Sequence, residues 1–147
     1  NLLQYAQALD PLVEARPRAT EREVAEAESR LGLRFPDEVR RFFLLSNGAS
    51  LGVRLSSDEV EQAASPLVMS LGEIVEAMES VPMEANDRVL VFGAAGADGI
   101  AFGHPIGPTG TVRSAVVAWW PVESRIATVA PSFAAWLDGW LSGTITV

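Results

Sequence analysis

The 147-residue chain contains no cysteine and no lysine, and His104 is its single histidine. Without cysteine there is no disulfide, no thiolate metal site and no cysteine nucleophile. The longest strongly apolar run, Ala115 to Trp120, is far shorter than the roughly 20 residues that a membrane-spanning helix needs. No basic segment followed by an apolar one opens the chain. We therefore expect a cytoplasmic protein without a membrane segment.

Positively charged residues are scarce only in the second part of the chain, residues 58–147. Residues 1–57 carry eight acids and eight arginines, whereas residues 58–147 carry eleven acids and three arginines, so the net charge of −8 lies in the second part. Eight of those acids fall between Asp58 and Asp87 and form what we call the acidic band. A field of this sign repels phosphate backbones and attracts basic proteins. We expect a protein partner, and neither nucleic acid nor membrane.

Few residues are suited to catalysis. A Ser-His-Asp site would have to use His104, with Asp98 six residues earlier, and nothing in the sequence resembles a nucleophile elbow. The glycine-rich stretch 93–99 has no Gly-Lys-Ser/Thr after it, so it predicts a turn between strands rather than a phosphate cradle. We expect no enzymatic activity, cofactor or metal. Paired carboxylates remain open, and a small hydrolase using Asp98 and His104 is a remote alternative.

Helical spacing and capping motifs predict the helices. Apolar residues from Leu2 to Val13 recur at helical spacing and predict one or two short helices, broken at Asp10-Pro11. Capping boxes or capping serines begin three more helices, at Thr20, Ser70 and Ser132. Between them, "LGLRFPDEVRRFFLLSNG" predicts a helix–turn–helix corner. There Gly32 ends one helix, Pro36 opens the next, and Asn47-Gly48 ends it with positive φ.

The strands are predicted mostly in the second half. Short strands are expected at Leu51–Leu55, Val89–Phe92 and Ile100–Phe102, with a polar loop over residues 57–66. Val112–Trp120 and Ile126–Val129 predict a hairpin. This order favours one α+β domain over residues 1–147. It would have a largely antiparallel central sheet with N-terminal helices, one mid-chain helix and a C-terminal helix packed on it.

The order of these motifs resembles the SUKH superfamily, which includes fungal cell-wall-assembly regulators and many bacterial toxin-immunity proteins. The first and most specific motif falls on Glu28, Leu31, Gly32, Phe35, Pro36, Phe43, Leu44, Asn47 and Gly48. A strand and glycine turn fall on Phe92, Gly93, Asp98 and Phe102, and the C-terminal motif falls on Ser132, Phe133, Trp136 and Leu137. The resemblance covers residues 20–143. The chain departs from it at Ala97, where glycine is commoner, and at His104, where an acid is often found.

This resemblance implies a protein that binds other proteins and is not an enzyme. It favours an immunity protein that neutralises a toxin domain, such as a nuclease, by direct binding. The alternative is an intracellular adaptor of the cell-wall-regulator type.

The acidic band and one tryptophan are the predicted contact residues. The band could equally be a solvated surface in which Glu73, Glu76 and Glu79 form the outer stripe of a helix. Trp119 and Trp120 are adjacent in a strand and point to opposite faces, so one of them could be an exposed anchor. The predicted partner-binding residues are Asp58, Glu59, Glu61, Glu76, Glu79, Glu84, Asp87 and Trp119.

Overall fold

The structure is a computed structural model, and it describes residues 1–51, 65–80, 88–94 and 99–147. The helices in these residues are α1 (Leu2–Leu9), α2 (Glu21–Leu31), α3 (Asp37–Phe43), α4 (Leu71–Ser80) and α5 (Phe133–Ser142). The strands are β1 (Val13–Ala15), β2 (Ala49–Leu51), β3 (Ser65–Val68), β4 (Val89–Ala94), β5 (Ala101–Pro105), β6 (Val116–Trp120) and β7 (Arg125–Ala130). Their pairings are antiparallel, which confirms the predicted α+β class. No helix within these ranges is long and apolar enough to cross a membrane.

The described strands form two sheets, whereas the sequence predicted one central sheet. The orders are β1-β2-β3 and β4-β5-β6-β7. The sheets meet at β3 and β4, where the Met69 N–H donates to the Phe92 carbonyl at 2.7 Å. Gly93 allows this approach, because a Cβ there would lie 2.9 Å from the Leu67 carbonyl oxygen. The four-stranded sheet is therefore flanked by β3 on its β4 side.

The predicted break at Asp10-Pro11 is confirmed, and of the one or two short helices expected before Val13 only α1 is present in the described residues. The chain leaves the helix at Asp10, and Val13 pairs with Leu51 as the first residue of β1. Pro11 explains the break, because proline lacks an N–H and disfavours helical geometry in the residue before it. The Asp10 carboxylate then accepts the Leu12 N–H at 2.9 Å and shapes the turn into the strand.

Both predicted capping boxes are present. Thr20 Oγ1 accepts the Glu23 N–H, and the Glu23 carboxylate accepts the Thr20 N–H, each at 3.1 Å. Ser70 and Glu73 form the same reciprocal pair at the start of α4, at 3.1 and 3.2 Å. Gly32 ends α2 with a φ of 67°, as the sequence predicted. These bonds satisfy main-chain donors that the first turn of a helix would leave unpaired.

Several strand boundaries differ from the prediction. Pro66 pairs with Ser50, so the end of the predicted loop 57–66 is strand β3. β6 begins at Val116, and the earlier residue Val112 instead forms an isolated bridge with Ile106. Residues 52–55 of the predicted strand Leu51–Leu55 lie outside the described residues. The β6–β7 hairpin is found where it was predicted.

Helix α5 packs aromatic side chains onto one face of the four-stranded sheet. Its Phe133, Trp136 and Leu137 are buried. The Trp136 ring lies edge-on to Phe92 at 4.8 Å and tilted to Phe102 at 5.2 Å. The opposite face of the sheet has a smaller buried cluster, formed by Val89, Val91, Val117 and Trp119. Both faces are thus buried along β4, β5 and β6, which explains why these three strands are apolar along most of their length, whereas β7 is mostly exposed.

Candidate functional site

A groove of about 660 Å³ lies between α2 and α4, and we call it the α2–α4 groove. Its apolar part is formed by Ala27, Leu71 and Val75. Its charged lining consists of four carboxylates and one guanidinium, which leaves three net negative charges: Glu23, Glu26, Glu76, Glu79 and Arg30. Two residues of the predicted acidic band, Glu76 and Glu79, therefore belong to a concave acidic surface.

Asn47 and Gly48 determine where α4 begins, and so shape the end of the groove. The Asn47 Oδ1 accepts the Leu71 N–H at 2.9 Å, which caps the first turn of α4 across 24 residues of sequence. Gly48 has a φ of 86° and packs so closely that a Cβ would lie 2.7 Å from the Val68 carbonyl oxygen. The sequence predicted that both residues end α3 with positive φ. That is wrong, because α3 already ends at Phe43 and only Gly48 has positive φ.

A bidentate ion pair joins the two helices across the groove. Arg30 on α2 donates from Nε to Glu79 Oε1 at 2.6 Å and from Nη2 to Oε2 at 2.8 Å. The hydrogen bonds to Glu79 and its charge raise the pKa of Arg30 above its ordinary value. Both side chains are largely exposed, so the pair contributes little to stability. Its planar two-bond geometry nevertheless fixes how Glu79 is presented.

The other groove carboxylates differ in whether a hydrogen bond or an ion pair already holds them. Glu23 is held in its capping box, and Glu26 pairs with Arg22 at 3.1 Å on the exposed side of α2. No hydrogen bond or ion pair reaches the Glu76 carboxylate from the residues that the structure describes. Glu76 is exposed and lies on the groove. It is therefore the carboxylate best placed to receive a cation from a partner.

Glu73 turns away from this set toward Arg16. Arg16 Nη1 donates to Glu73 Oε1 at 2.6 Å, and its Nε and Nη2 donate to Ser50 Oγ at 3.1 and 3.0 Å. Burial would raise the pKa of Glu73, but hydrogen bonds from the Ser70 N–H and from Arg16 outweigh it and hold the pKa below its ordinary value. The helix stripe Glu73, Glu76, Glu79 is thus not a uniform solvated row, since two of its three carboxylates are paired.

Most of the acidic band lies outside the described residues. This holds for Asp58, Glu59, Glu61, Glu84 and Asp87, and also for Asp98 of the glycine-rich turn.

The expectation that Trp119 is an exposed anchor is wrong. Trp119 is only 7% exposed and belongs to the smaller buried cluster on the sheet. The adjacent Trp120 is partly exposed, and the guanidinium of Arg125 lies over its ring, 4.4 Å from the ring centroid. Adjacent strand residues do point to opposite faces, as predicted, but Trp119 points into the buried cluster and Trp120 is the more exposed of the two.

His104 is part of the aromatic core. It is 1% exposed, and its ring packs against Phe92 with centroids 5.3 Å apart. Its Nδ1 donates to the Ala115 carbonyl at 3.0 Å, and burial lowers the pKa of the ring below its ordinary value. No carboxylate within the described ranges orients this ring, which a catalytic triad requires. Asp98, the second residue of the remote hydrolase alternative, lies outside the described residues.

Three motif-region side chains have structural roles that sequence reasoning missed. Glu28 Oε2 accepts the Phe35 N–H at 2.8 Å, and its Oε1 lies 3.2 Å from Arg40 Nε, which fixes the α2–α3 corner. Ser46 is buried and accepts the Arg16 N–H at 2.8 Å. Glu38 accepts the Ala134 N–H at the start of α5. Only Glu28 had a usable signal, its place in the first motif, because the partners of the other two are distant in sequence.

Comparison with protein families matches residues 18–139 to the SMI1 / KNR4 family (SUKH-1). The match covers well over half of the chain and includes α2, α3, the groove residues and most of α5. A search of curated proteins gave no match.

Proposed function

Because the chain belongs to the SMI1 / KNR4 family (SUKH-1), we propose that it is a non-enzymatic protein-binding domain. We further propose that it is an immunity protein, which neutralises a basic toxin domain by binding it directly. The observation that carries this proposal is the α2–α4 groove, where carboxylates line an apolar floor.

The groove is suited to the long basic side chains of a partner. Their aliphatic stems would lie on Ala27 and Val75 while the charged heads reach Glu26 and Glu76. Such contacts keep the cation hydrated or paired and still bury apolar surface. Complementary charge of this kind raises the association rate and the selectivity more than the affinity itself.

A toxin that cleaves nucleic acid is a partner of the right charge. A substrate cleft for nucleic acid is basic, because it must neutralise phosphates. The carboxylates of the α2–α4 groove can receive basic side chains from the rim of such a cleft, and the bound chain would then block the substrate. The net charge of −8 favours the encounter with a basic partner from a distance.

The test compares two doubly substituted variants with the same charge change. The groove variant is Glu26→Gln with Glu76→Gln, because Glu23 caps α2 and Glu79 is bound to Arg30. The control is Glu14→Gln with Glu123→Gln, two exposed carboxylates that do not line the groove. The binding of each variant is measured against a candidate toxin domain. This candidate is the C-terminal domain of a large secreted-type protein encoded beside this gene.

We expect the groove variant to associate on the order of 3- to 10-fold more slowly at low ionic strength than the control. Its association rate should also depend less on salt, because fewer charges steer the encounter. Stopped-flow kinetics measures both quantities. Equal association rates for the two variants would remove the groove from the interface.

Rescue in cells separates immunity from the adaptor function. Co-expression with the toxin domain should restore growth with the wild-type chain, and less well with the groove variant at limiting expression. An adaptor would instead show several weak partners in affinity capture and would not protect cells. That result would contradict the immunity proposal while leaving a protein-binding role in place.

A further inference from the structure

Strand β7 has an unpaired edge. It is the last strand of the sheet β4-β5-β6-β7 and pairs on one side only, with β6. In an antiparallel sheet, every second residue of an edge strand points its N–H and C=O away from the sheet. Within the described part of the chain, no main-chain or side-chain hydrogen bond reaches β7 from its outer side. These groups can therefore bind another extended main chain.

The opposite edge of the sheet differs in this respect. β4 lies beside β3, and the Met69 N–H donates to the Phe92 carbonyl between them. The close approach at Gly93 leaves no room for another strand there, because the Leu67 carbonyl already lies 2.9 Å from where a Cβ would be. Of the two edges, β7 is thus the one that an added strand can reach.

The features that usually protect an edge strand are weak in β7. Its only charged residue is Arg125, and the guanidinium of Arg125 lies over the Trp120 ring on β6 instead of along the edge. A register shift places the unmatched residue at Val129, near the far end of the strand. Ile126 is 41% exposed and Thr128 is exposed. Natural edges are normally guarded by charges, prolines or central bulges, so residues 126–128 are unguarded.

We propose that the β7 edge binds an extended basic segment of a partner protein by strand addition. Ile126 and Thr128 pair with Trp119 and Val117, so they lie on the same sheet face as that buried cluster. β-branched side chains on one face of the added strand would extend this cluster, while basic side chains on the other face would remain in solvent.

The net charge of the chain favours a basic segment over a second copy as the occupant of the edge. A second copy would also carry a net charge of −8 and would be repelled, whereas a basic segment is attracted. The inference rests on the proposed function only for the basic character of the partner, because the unpaired edge is independent of the α2–α4 groove.

A pair of labelled peptides tests the edge on the full chain. One peptide alternates lysine and valine over about nine residues, enough to cover a strand. The other has the same composition in a helical spacing. Fluorescence anisotropy should show that the alternating peptide binds at least about fivefold more tightly, because only it can present valines on one face of a strand. Hydrogen exchange should then slow at residues 125–130.

Two lysine substitutions on the strand and one matched control locate the binding. Ile126→Lys and Thr128→Lys should abolish the preference for the alternating peptide, since a charged edge resists pairing. Val122→Lys introduces the same charge into the hairpin turn at a residue that is 97% exposed, and should keep the preference. Equal effects of all three substitutions, equal binding of both peptides, or protection away from 125–130 would overturn the proposal.

Two further measurements separate binding at the β7 edge from self-association and from binding at the α2–α4 groove. Wild-type dimers in ultracentrifugation that Ile126→Lys dissociates would assign the edge to a second copy and overturn the proposal. The Glu26→Gln, Glu76→Gln variant should keep its protection at β7. If that variant also binds the toxin domain at the control rate, the groove fails while the edge stands. If the peptide gives no protection at β7 but the groove variant binds the toxin domain slowly, the edge proposal fails while the groove proposal stands.

Discussion

The Asn47-Gly48 step allows a quantitative test of how the corner motif supports the groove. Gly48 combines a φ of 86° with close contact to the β3–α4 connection, because an added Cβ would lie 2.7 Å from the Val68 carbonyl oxygen and 2.8 Å from the Ser70 nitrogen. Gly32 is a matched comparison. Its φ of 67° is similarly left-handed, but a Cβ there would have no neighbour within 4 Å.

The two alanine substitutions should therefore differ in cost. Left-handed backbone costs an L residue about 1–2 kcal/mol, and this applies to both positions. At Gly48 the new methyl group also overlaps main-chain atoms that start α4, and forced overpacking of this kind adds about 1–3 kcal/mol. We expect Gly32→Ala to lower the free energy of unfolding by about 1–2 kcal/mol and Gly48→Ala by about 2–5 kcal/mol.

Urea unfolding followed by tryptophan fluorescence measures both values, since Trp136 is buried in the core. Gly48→Ala should also disturb the Asn47–Leu71 cap, so the variant should bind the toxin domain more weakly even where it is fully folded. A cost at Gly48 no larger than that at Gly32 would refute the reasoning, because it would mean that the β3–α4 connection yields without strain.

Two further predictions concern buried groups. Burial lowers the pKa of His104 below its ordinary value of 6.5, so the folded state favours the neutral ring. The free energy of unfolding is therefore highest above pH 6.5 and falls as the pH drops below 6.5, because the unfolded chain then takes up a proton that the folded chain does not. Between pH 7 and pH 5 the free energy of unfolding should fall by at most about 1.4 kcal/mol per pH unit, and His104→Asn should flatten this slope in pH-dependent urea titrations. Glu73 does not interfere, because its lowered pKa affects stability only below its ordinary value of 4.5. Glu28→Ala leaves the Phe35 N–H without its acceptor and should cost about 1–3 kcal/mol in the same assay, whereas Glu21→Ala, at an exposed position of the same helix, should cost less. A Glu28→Ala cost equal to that of Glu21→Ala would show that the corner does not depend on this carboxylate.

The elements that the sequence predicts correctly are those with local causes. The capping boxes at Thr20 and Ser70 join residues three apart, and Gly32 ends α2 through its own backbone freedom. The C-terminal helix repeats apolar residues at helical spacing. Such signals lie within a short stretch of sequence, so they can be recognised without knowing the tertiary contacts. The family resemblance rests on the same short windows of sequence and therefore does not depend on distant contacts.

The candidate site could be predicted only in part, because its properties depend on distant pairs. Arg30 and Glu79 are 49 residues apart, and Arg16 and Glu73 are 57 apart. In the sequence, Glu73, Glu76 and Glu79 are three equivalent carboxylates at i, i+3 spacing. In the folded chain Glu73 is bound to Arg16 and Glu79 to Arg30, and among the described residues only Glu76 of the three faces the groove unpaired. The total charge of a helix is thus readable from sequence, but the charge available to a partner is decided by packing.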